Sequence, residues 1–338
     1  MSKVICYGEA LIDFLQINQQ VQDGVSLSDY RQFPGGAPAN AAVALAKLGG
    51  KSHFVGQVGD DQFGHFLIKC LRHYGVNTEW LLIHKSAPTP LAFVHLDKYG
   101  ERSFTFMRKD SADLQLRPDD IKTSWFENAE ILHFCSNTLT EKGAADTTQA
   151  VLNKASENNL TICFDVNLRT NLWPNSTLNI ALINEFVEKT QVIKFAREEF
   201  ELLCQNEPED YINRCFNGNC ELLFITGGGD DIEYITKHHR GRISPAKAKV
   251  VDTTAGGDGF IGAILYLLSE RITLDTLINN QNALKSAIAF ASCAGALAVS
   301  RQGAFPALPS LNEINTLFSQ QFPALTGALF LENARELL

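Results

Sequence analysis

The sequence lacks the motifs that identify several common classes of protein. It has no Gly-x-x-x-x-Gly-Lys-Ser/Thr run, so the chain is not a P-loop enzyme. No Gly-x-Gly-x-x-Gly follows the first predicted strand, which argues against a dinucleotide-dependent oxidoreductase. The eight cysteines include no Cys-x-x-Cys pair, and the closest two, Cys215 and Cys220, have no His at the spacing of a zinc site. Internal repeats and low-complexity segments are absent as well.

Charge and hydrophobicity argue against two kinds of partner. The net charge is −9 with no basic stripe, so we expect no nucleic acid partner. No hydrophobic run approaches the length that spans a bilayer, so we expect no membrane partner. Residues 1–7 are typical of a short strand rather than a signal peptide. The cysteines lie mostly in apolar surroundings, as buried free thiols do in a reducing compartment, which predicts a cytoplasmic protein.

Strand-like and helix-like segments alternate along most of the 338 residues, and the 45% of hydrophobic residues suits a soluble globular protein with a large core. The predicted buried strands are 4–7, 53–58, 131–134, 160–164, 192–195 and 222–226. The predicted helices are 37–48, 61–73, 140–157, 176–188, 197–204, 257–269 and 280–299. Strands separated by helices predict an α/β fold with a parallel sheet that is covered on both faces.

Two regions depart from this alternation. Residues 11–17 alternate apolar and polar side chains, and so do residues 91–97 and 102–108, which flank the turn 98–101. This period of two predicts a hairpin in a sheet with one buried face. We therefore expect a small β lid, formed by about 11–33 and 88–109, inserted into one main α/β domain.

Residues 251–260, VDTTAGGDGF, join a strand-like run to a long apolar helix. Consecutive small residues let backbone N–H groups point into one concavity, and a helix start adds partial positive charge, so such a site can hold an anion without Lys or Arg. Asp258 beside it could accept the proton of a hydroxyl that attacks a phosphoryl group. Alternatively, Asp258 only occupies the first helical turn, where acids are favoured.

Residues 33–40, FPGGAPAN, place two glycines before a predicted helix, so the main chain can approach a ligand there. The amide of Asn40 can both donate to and accept from a sugar hydroxyl. The alternative is a plain glycine turn with a polar residue in the first helical turn. Asp13 lies inside an apolar strand-like run, where an unpaired buried acid would be costly and sugar hydroxyls would offer partners.

These two segments resemble the two signatures of the ribokinase-like (PfkB) carbohydrate kinases, and the later one is similar to the pattern D-T-x-G-A-G-D-x-F. They lie in the family order more than two hundred residues apart, and the likeness extends from about residue 7 to 309. Within the family the chain looks most like the fructokinase branch. The resemblance implies a ribokinase-like three-layer α/β/α fold with a mostly parallel central sheet and a small β-sheet lid, in a single kinase domain over residues 1–338.

The resemblance also implies roles for individual residues around the sugar. Asp258 would be the catalytic base, and the amides of Ala255, Gly256 and Gly257 would form the anion hole. The D-x-N-x-R pattern of residues 165–169 places Asn167 and Arg169 at the end of a strand. Arg108, at the end of the predicted hairpin, is either a sugar contact or a solvated lid residue. The substrate-binding residues that the family implies are Asp13, Gly35, Gly36, Asn40, Arg108, Asn167 and Arg169.

For the nucleotide and the metals, the resemblance implies ATP, Mg²⁺ and, as in some relatives, K⁺. The implied nucleotide-binding residues are Lys194, Glu199, Thr226, Gly228, Gly229 and Ser292. Glu199 would organise magnesium through water, and the implied potassium site is formed by Asp252, Thr254, Ala298 and Gly303. The chain departs from the family pattern at several positions: Ala196 replaces an Asn or Ser, Ser292 replaces an Asn, and Ala255-Gly256 stands where Gly-Ala is usual. A positive φ at Ala255 would cost about 1 kcal/mol or more.

We therefore predict an ATP-dependent sugar kinase, with fructose as the preferred acceptor. 2-Keto-3-deoxygluconate kinase, ribokinase and nucleoside kinase share these motifs and remain alternatives. A sugar sensor that retains the fold without catalysis is a rival from another class, although a sensor gains nothing from a base at Asp258. The lid sheet also predicts a homodimer, since an apolar outer sheet face often pairs with its copy.

Overall fold

The computed structural model describes residues 2–96 and 102–326. In chain order its strands are β1 (Lys3–Tyr7), β2 (Leu11–Gln22), β3 (Val25–Gly35), β4 (Lys51–Gly59), β5 (Leu81–His84), β6 (Leu91–Leu96), β7 (Arg102–Met107), β8 (Ala129–Cys135), β9 (Thr161–Asp165), β10 (Val192–Ala196), β11 (Leu222–Gly227), β12 (Asp230–Thr236) and β13 (Arg240–Ile243). Its helices are α1 (Ala37–Lys47), α2 (Gln62–His73), α3 (Lys142–Glu157), α4 (Ile180–Val187), α5 (Arg197–Cys204), α6 (Pro208–Asn217), α7 (Gly256–Glu270), α8 (Leu274–Asn279), α9 (Gln281–Val299) and α10 (Leu311–Gln321).

Nine strands form the larger sheet, in the order β13-β12-β11-β10-β9-β8-β1-β4-β5. Neighbouring strands from β11 to β5 are parallel, because helices carry the chain back between them. The mostly parallel central sheet expected from the sequence is thus confirmed. The pairs β11–β12 and β12–β13 are antiparallel, which the sequence analysis did not predict. Only two residues separate β11 from β12, and a connection that short cannot make a crossover.

Helices pack on both faces of this sheet, as the alternation of side chains along β1 shows. Val4 and Cys6 join the core beneath α1, α7 and α9, whereas Ile5 and Tyr7 join the core beneath α3, α4 and α6. Each large apolar side chain buried in these cores contributes roughly 1.5–3 kcal/mol. The three-layer α/β/α arrangement is therefore also confirmed.

Small residues let α7 approach its neighbours closely. A Cβ atom on Gly262 would collide with the side chain of Ala44 on α1, and one on Gly256 would lie 2.6 Å from Cγ1 of Val299 on α9. Backbones that approach this closely leave little room for α7 to shift. The packing thus fixes the start of α7, where Asp258 lies, relative to α1, which carries Asn40.

The helix α9 corrects one expectation. At 19 residues it is long and apolar enough to cross a membrane by length and composition, although the sequence analysis found no such run. In the structure, 72% of its most hydrophobic window is buried inside the protein. Its many alanines, such as Ala287, Ala291 and Ala294, are buried against α7 and the rest of the core. The apolar composition of α9 is that of a core helix.

The smaller sheet has the order β3-β2-β6-β7, with β2 parallel to β6 and the outer pairs antiparallel. Leu15, Phe33 and Val94 form its own small buried cluster. Phe14 alternates with Leu15 and packs edge-on against Phe63 of α2, which ties the base of this lid sheet to the main body. The predicted turn at 98–101 lies outside the described residues. The division into one domain with an inserted lid stays a prediction.

Candidate active site

Polar residues of several strands collect at the carboxyl edge of the larger sheet, and the predicted Lys194 is one of them. β1 ends just before Gly8 and Glu9, β9 ends at Asp165, and Lys194 is the middle residue of β10. Carboxyl ends of parallel strands meet at one edge of a sheet, and this edge is where open α/β sheets bind ligands. The helices α1 and α7 begin at the same edge, which brings the segments 33–40 and 251–260 together.

The side chains of Asn40 and Asp258 connect these two segments directly. Asn40 Nδ2 donates to Asp258 Oδ2 at 2.7 Å, across 218 residues of sequence. Asn40 Oδ1 is buried and has no hydrogen-bond partner in the part of the chain that the structure describes. A sugar hydroxyl could donate its hydrogen to Asn40 Oδ1, and the oxygen of the same hydroxyl could accept a hydrogen bond from another group.

Asp258 is poised for proton transfer near neutral pH. Its side chain is only 5% exposed, and burial, together with the charge of Asp165, raises its pKa to about 7. The hydrogen bond from Asn40 and the charges of Lys194 and Arg169 oppose this shift. A base is most effective when its pKa lies near the working pH, so this environment suits the role predicted for Asp258.

The predicted anion hole lies at the first turn of α7. Ala255 precedes the helix with φ −110° and ψ 15°, so the cost that a positive φ would impose on this alanine does not arise. The first backbone N–H groups of a helix have no partner within it. The N–H of Gly256 makes only a 3.5 Å contact with the carbonyl oxygen of Thr253. The first full intrahelical bond is from the N–H of Gly259 to the carbonyl oxygen of Ala255, so the N–H groups of 255–258, which include the three predicted for the anion hole, precede it.

A buried cation, the ammonium of Lys194, lies beside these amides and adds a full positive charge to their dipoles. Lys194 Nζ is 3.1 Å from where a Cβ on Gly257 would stand. It donates to Asp165 Oδ1 at 2.8 Å, and Asp165 Oδ2 has no hydrogen-bond partner among the described residues. Burial disfavours the charged ammonium, but the carboxylates of Asp165 and Glu199 outweigh it and raise the pKa of Lys194. The ammonium thus stays charged.

Asp13 and the two glycines of residues 33–40 form the opposite wall. Asp13 pairs with Phe33 across β2 and β3, and a Cβ on Gly35 would collide with the Asp13 carboxylate. Gly36 has φ 101°, and a Cβ there would lie 2.5 Å from the carbonyl oxygen of Glu9. Burial raises the pKa of Asp13 to about 7, against the opposing charge of Arg169. Gly36 is required by its positive φ and by the approach of the Glu9 main chain, whereas a side chain at position 35 would displace the Asp13 carboxylate.

The three remaining residues predicted for the sugar occupy different surroundings. Arg169 is exposed, and its charge acts on both Asp13 and Asp258. Asn167 is buried with φ 40°, and its carbonyl oxygen accepts from Ser136 Oγ at 3.4 Å. Arg108 is only 6% exposed, so its description as a solvated lid residue is wrong. A direct contact between the sugar and any of the three stays a prediction.

Glu199 makes two hydrogen bonds that tie neighbouring loops together. Its Oε1 accepts from the N–H of Leu168 at 2.7 Å, and its Oε2 accepts from the N–H of Ala196 at 2.8 Å. Ala196 needs only its backbone for this contact, which explains why an alanine is tolerated there. Each carboxylate oxygen keeps a second lone pair for a water molecule.

The described residues fit a magnesium ion that keeps most of its water. Within residues 2–96 and 102–326, no group of three or more His, Cys, Asp or Glu side chains could hold a metal by itself. Magnesium in phosphoryl-transfer sites uses one or two carboxylates, waters and the substrate phosphates. Glu199 and the unpartnered Oδ2 of Asp165 are the carboxylate oxygens at this position.

The remaining residues predicted to bind the nucleotide differ in how many contacts they already make within the protein. Gly228, with φ 61°, and Gly229 form the exposed turn between β11 and β12, and a Cβ on either would meet nothing within 4 Å. Thr226 Oγ1 donates to the carbonyl oxygen of Phe195 at 3.2 Å. Ser292 Oγ already accepts from the N–H of Ala246 at 3.1 Å and donates to the carbonyl oxygen of Ala289 at 2.8 Å. An adenine contact by Ser292 stays a prediction.

The residues predicted for potassium lie together around one loop. Asp252 accepts from the N–H and hydroxyl of Thr254 through one oxygen and from the N–H of Gly303 at 2.9 Å through the other. The N–H groups of residues 251 and 252 donate to the carbonyl oxygen of Val299, next to Ala298. This loop leads directly into the anion hole, so a cation there would act on the start of α7.

The sequence analysis did not identify Asp165, Glu9 or Asn137 as site residues. Asp165 lay within the quoted D-x-N-x-R pattern, and its position at the end of a strand was the available signal. Glu9 follows Gly8 at the end of β1 in the same way. Asn137 has no local signal, because it contacts Glu9 from 128 residues away.

Comparison with known proteins supports the family. The model of the pfkB family carbohydrate kinases matches residues 1–311. The chain is 36% identical to "Probable fructokinase-5" of Arabidopsis thaliana over 312 residues, which is 91% of this chain and 94% of that one.

Solved structures of fructokinases are also similar. The fructokinase of Xylella fastidiosa with bound ATP has a TM-score of 0.88 at 35% identity, covering 94% of this chain and 98% of that one. A double-mutant fructokinase of Vibrio cholerae O395, in a form bound to fructose, ADP and potassium ion, has a TM-score of 0.83 at 33% identity, with coverage of 94% and 98%. The family resemblance and the fold that it implied are confirmed.

Proposed function

The chain belongs to the pfkB family of carbohydrate kinases, and we propose that it transfers the γ-phosphoryl group of ATP to a primary hydroxyl of fructose. The observation that carries this proposal is the 2.7 Å hydrogen bond between Asn40 and Asp258. It joins a sugar-binding loop to a buried acid at the start of α7, beside amides suited to phosphate. The similar proteins called fructokinases support fructose as the acceptor.

In the proposed reaction the sugar oxygen attacks the γ-phosphorus in line with the bond to the β-phosphate. Asp258 takes the hydroxyl proton as the new oxygen–phosphorus bond forms, and the bond to the departing ADP breaks. Ionised Asp258 is required for this step, and its pKa of about 7 keeps a large fraction of it ionised at neutral pH.

Charge that develops on the transferred group is stabilised from two sides. The amides at the start of α7 donate to its oxygens without having to reorganise. Lys194 adds a fixed positive charge near Gly257, where its pair with Asp165 holds it in place. Magnesium, when bound through Glu199 and Asp165 by way of water, neutralises charge on the phosphates.

The charges around the sugar favour a neutral substrate over an acidic one. Asp13 and Asp258 lie on the sugar side, and the cation that acts on both is the exposed Arg169. The carboxylate of 2-keto-3-deoxygluconate would meet these acids with few compensating cations, because Arg108 already donates to protein groups. Fructose brings hydroxyls that both acids can bind.

Further parts of this proposal concern ions and location. We expect potassium to bind at the loop of Asp252 and Gly303, since the similar Vibrio cholerae protein has a potassium-bound form. We also expect a cytoplasmic protein, because all eight cysteines are free and seven of them are buried. Activity with and without potassium, and fractionation of cells, test these two expectations.

A homodimer through the lid is the proposed assembly. Residues 17–27 of β2 and β3 are exposed throughout, and they include four large apolar side chains, Ile17, Val21, Val25 and Leu27. Exposed apolar strands often pair with another chain. Sedimentation of the wild type and of Val21→Lys tests the assembly: we expect a dimer and a shift towards monomer, respectively.

A coupled assay of ADP release tests the function. Fructose, ribose, 2-keto-3-deoxygluconate and nucleosides are each supplied with ATP and magnesium. We expect the highest kcat/KM with fructose. A higher value with another acceptor would overturn the substrate, and sugar binding without ADP release from any acceptor would indicate a sensor.

A further inference from the structure

A buried carboxylate stands behind the sugar-binding loop. Glu9 is 2% exposed and lies two residues after the end of β1, an interior strand of the larger sheet. Its Oε1 accepts from the backbone N–H of Ala37 at 3.3 Å and from Asn137 Nδ2 at 2.9 Å. Its Oε2 has no hydrogen-bond partner among the described residues. Burying a carboxyl group is costly unless it is hydrogen-bonded, so the contacts with Ala37 and Asn137 offset part of this cost.

Glu9 holds the start of α1 through both its side chain and its main chain. The N–H of Ala37 is one of the free donors at the start of that helix, where a carboxylate is favourable. The carbonyl oxygen of Glu9 also lies against Gly36, as the 2.5 Å approach to a Cβ there shows. Asn40 lies one turn further along, and its own N–H donates to the carbonyl oxygen of Gly36 at 2.7 Å.

The same cluster reaches the end of the lid. Arg108 follows β7 immediately, and its guanidinium donates to three protein acceptors: Asp113 Oδ2 at 2.6 Å, Thr140 Oγ1 at 2.9 Å and the carbonyl oxygen of Asn137 at 2.8 Å. Asn137 therefore receives Arg108 on its backbone and donates to Glu9 from its side chain. The series Arg108–Asn137–Glu9–Ala37 connects the lid with the loop that binds the sugar.

We propose that Glu9 and Arg108 are positioning residues that do not touch the sugar. They hold the sugar-binding loop, residues 33–40, in place relative to the point where the chain leaves the lid after β7. This inference rests on the proposed function and reassigns Arg108 from a substrate contact to a structural link. It follows from the geometry: Glu9 holds the first residue of α1, and the Asn40 to Asp258 hydrogen bond depends on where α1 starts. The nucleotide side shares none of these contacts.

Glu9→Ala is the first test. Loss of the contact with Ala37 should let the start of α1 shift, and we expect KM for fructose to rise about tenfold. KM for ATP should change less than about twofold, because the start of α7 keeps its own packing. Glu9→Gln retains an oxygen that can accept from Ala37 and Asn137, so it should restore most of the affinity for fructose.

Glu233→Ala is the matched control for stability. Glu233 is a buried acid of similar exposure, 5%, that holds Arg240 and Arg242 at the far edge of the sheet. Its loss should lower the melting temperature without changing KM for fructose. If Glu9→Ala only lowers the melting temperature, or raises both KM values equally, the positioning role of Glu9 is overturned.

Arg108→Lys distinguishes positioning from substrate contact. Lysine cannot reproduce the fork of three contacts, so kcat/KM should fall about tenfold for every acceptor alike. The ratio between fructose and 2-keto-3-deoxygluconate should stay within about twofold of the wild type. A changed ratio would show that Arg108 contacts the sugar. The wild type is measured with the same acceptors. If it prefers an acceptor other than fructose, the proposed substrate is wrong, and the Arg108→Lys ratio is then taken with the preferred acceptor instead.

Discussion

The two sides of Asp258 are built from different parts of the polypeptide. On the proposed sugar side, the groups are charged and amide side chains, namely those of Asp13, Asn40 and Arg169. On the phosphate side, the groups are mainly backbone amides at the start of α7 and an exposed glycine turn at 228–229, with Lys194 as the buried cation. Phosphate oxygens accept from any well-placed N–H, whereas hydroxyls at fixed positions require particular side chains.

This difference predicts where substitutions act. Side chains on the sugar side should determine which acceptor binds, and the phosphate side should depend on backbone shape and on one ion pair. Asp258, the proposed base, lies between the two sides. Five experiments follow, beginning with the largest expected effect.

Asp258→Asn should lower kcat by on the order of 10²-fold or more, because an amide cannot take the hydroxyl proton. KM for fructose should change little, since the new amide oxygen can still accept from Asn40. Asp13→Asn is the matched variant, with a carboxyl of similarly raised pKa on the same side. It should raise KM for fructose and spare kcat. Steady-state kinetics of both variants provide the comparison, and normal turnover by Asp258→Asn would refute the role of base.

Lys194→Met should lower kcat/KM for ATP about 30-fold, since a charge beside the anion hole is lost. It should also lower the free energy of unfolding by about 3 kcal/mol, because Asp165 is left buried without its partner. The double variant Lys194→Met/Asp165→Asn should regain stability but not the use of ATP. Urea unfolding and kinetics separate the two effects. Recovery of activity in the double variant would mean that Lys194 serves only to neutralise Asp165.

The pH dependence should differ between the two sides. Asp258 has a pKa of about 7 and works ionised, so kcat/KM for fructose should fall about tenfold from pH 8 to pH 6. KM for ATP should stay nearly constant, because amides do not titrate and the raised pKa of Lys194 keeps it charged.

The free energy of unfolding should fall as the pH rises towards about 7, whereas the activity should rise with pH. A carboxyl whose pKa is raised by folding stabilises the protein while it is protonated, and this contribution is lost as the pH rises from about 4 to about 7. Asp13→Asn and Asp258→Asn should therefore be more stable than the wild type at pH 8. Equal stability at pH 8 would contradict the raised pKa values.

Glycine substitutions should have the smallest effects and should still divide by side. Gly36→Ala forces a positive φ on alanine and brings a Cβ to 2.5 Å from Glu9, so KM for fructose should rise roughly fivefold or more. Gly229→Ala, at a position with open space, should change each KM by less than about twofold. The KM values of both variants are measured for fructose and for ATP. A larger change in Gly229→Ala than in Gly36→Ala would contradict the proposed difference between the two sides.

Most of the fold and the centre of the site could be predicted from the sequence. The segments 33–40 and 251–260 each contain a turn followed by a helix, so their small residues and the acid at Asp258 are visible locally. The six predicted strands lie in β1, β4, β8, β9, β10 and β11, because buried parallel strands are continuous apolar runs. The strands β5, β12 and β13 were missed, since β5 and β13 have only four residues each and β12 carries exposed acids at its start.

Other features of the site could not be predicted from local patterns. Whether Ala255 has a positive φ could not be decided from the sequence, and the structure gives it an ordinary negative φ. Lys194 belongs to an apolar strand, and nothing in residues 192–196 shows that its ammonium reaches Gly257. Arg108 gives no sign in the sequence that Asp113, Thr140 and Asn137 surround it.

The sequence by itself determined the alternation of long buried strands with helices, the glycine turns and the identity of the acid, because neighbouring residues set backbone conformation and periodicity. Only the tertiary structure decided which polar side chains meet. Asn40 and Asp258, like Glu9 and Asn137, lie far apart along the chain and come together when the sheet edge forms. The pKa of Asp258 belongs to this second group. Its value depends on burial and on the charges of other segments, which are fixed by packing rather than by the residues beside it.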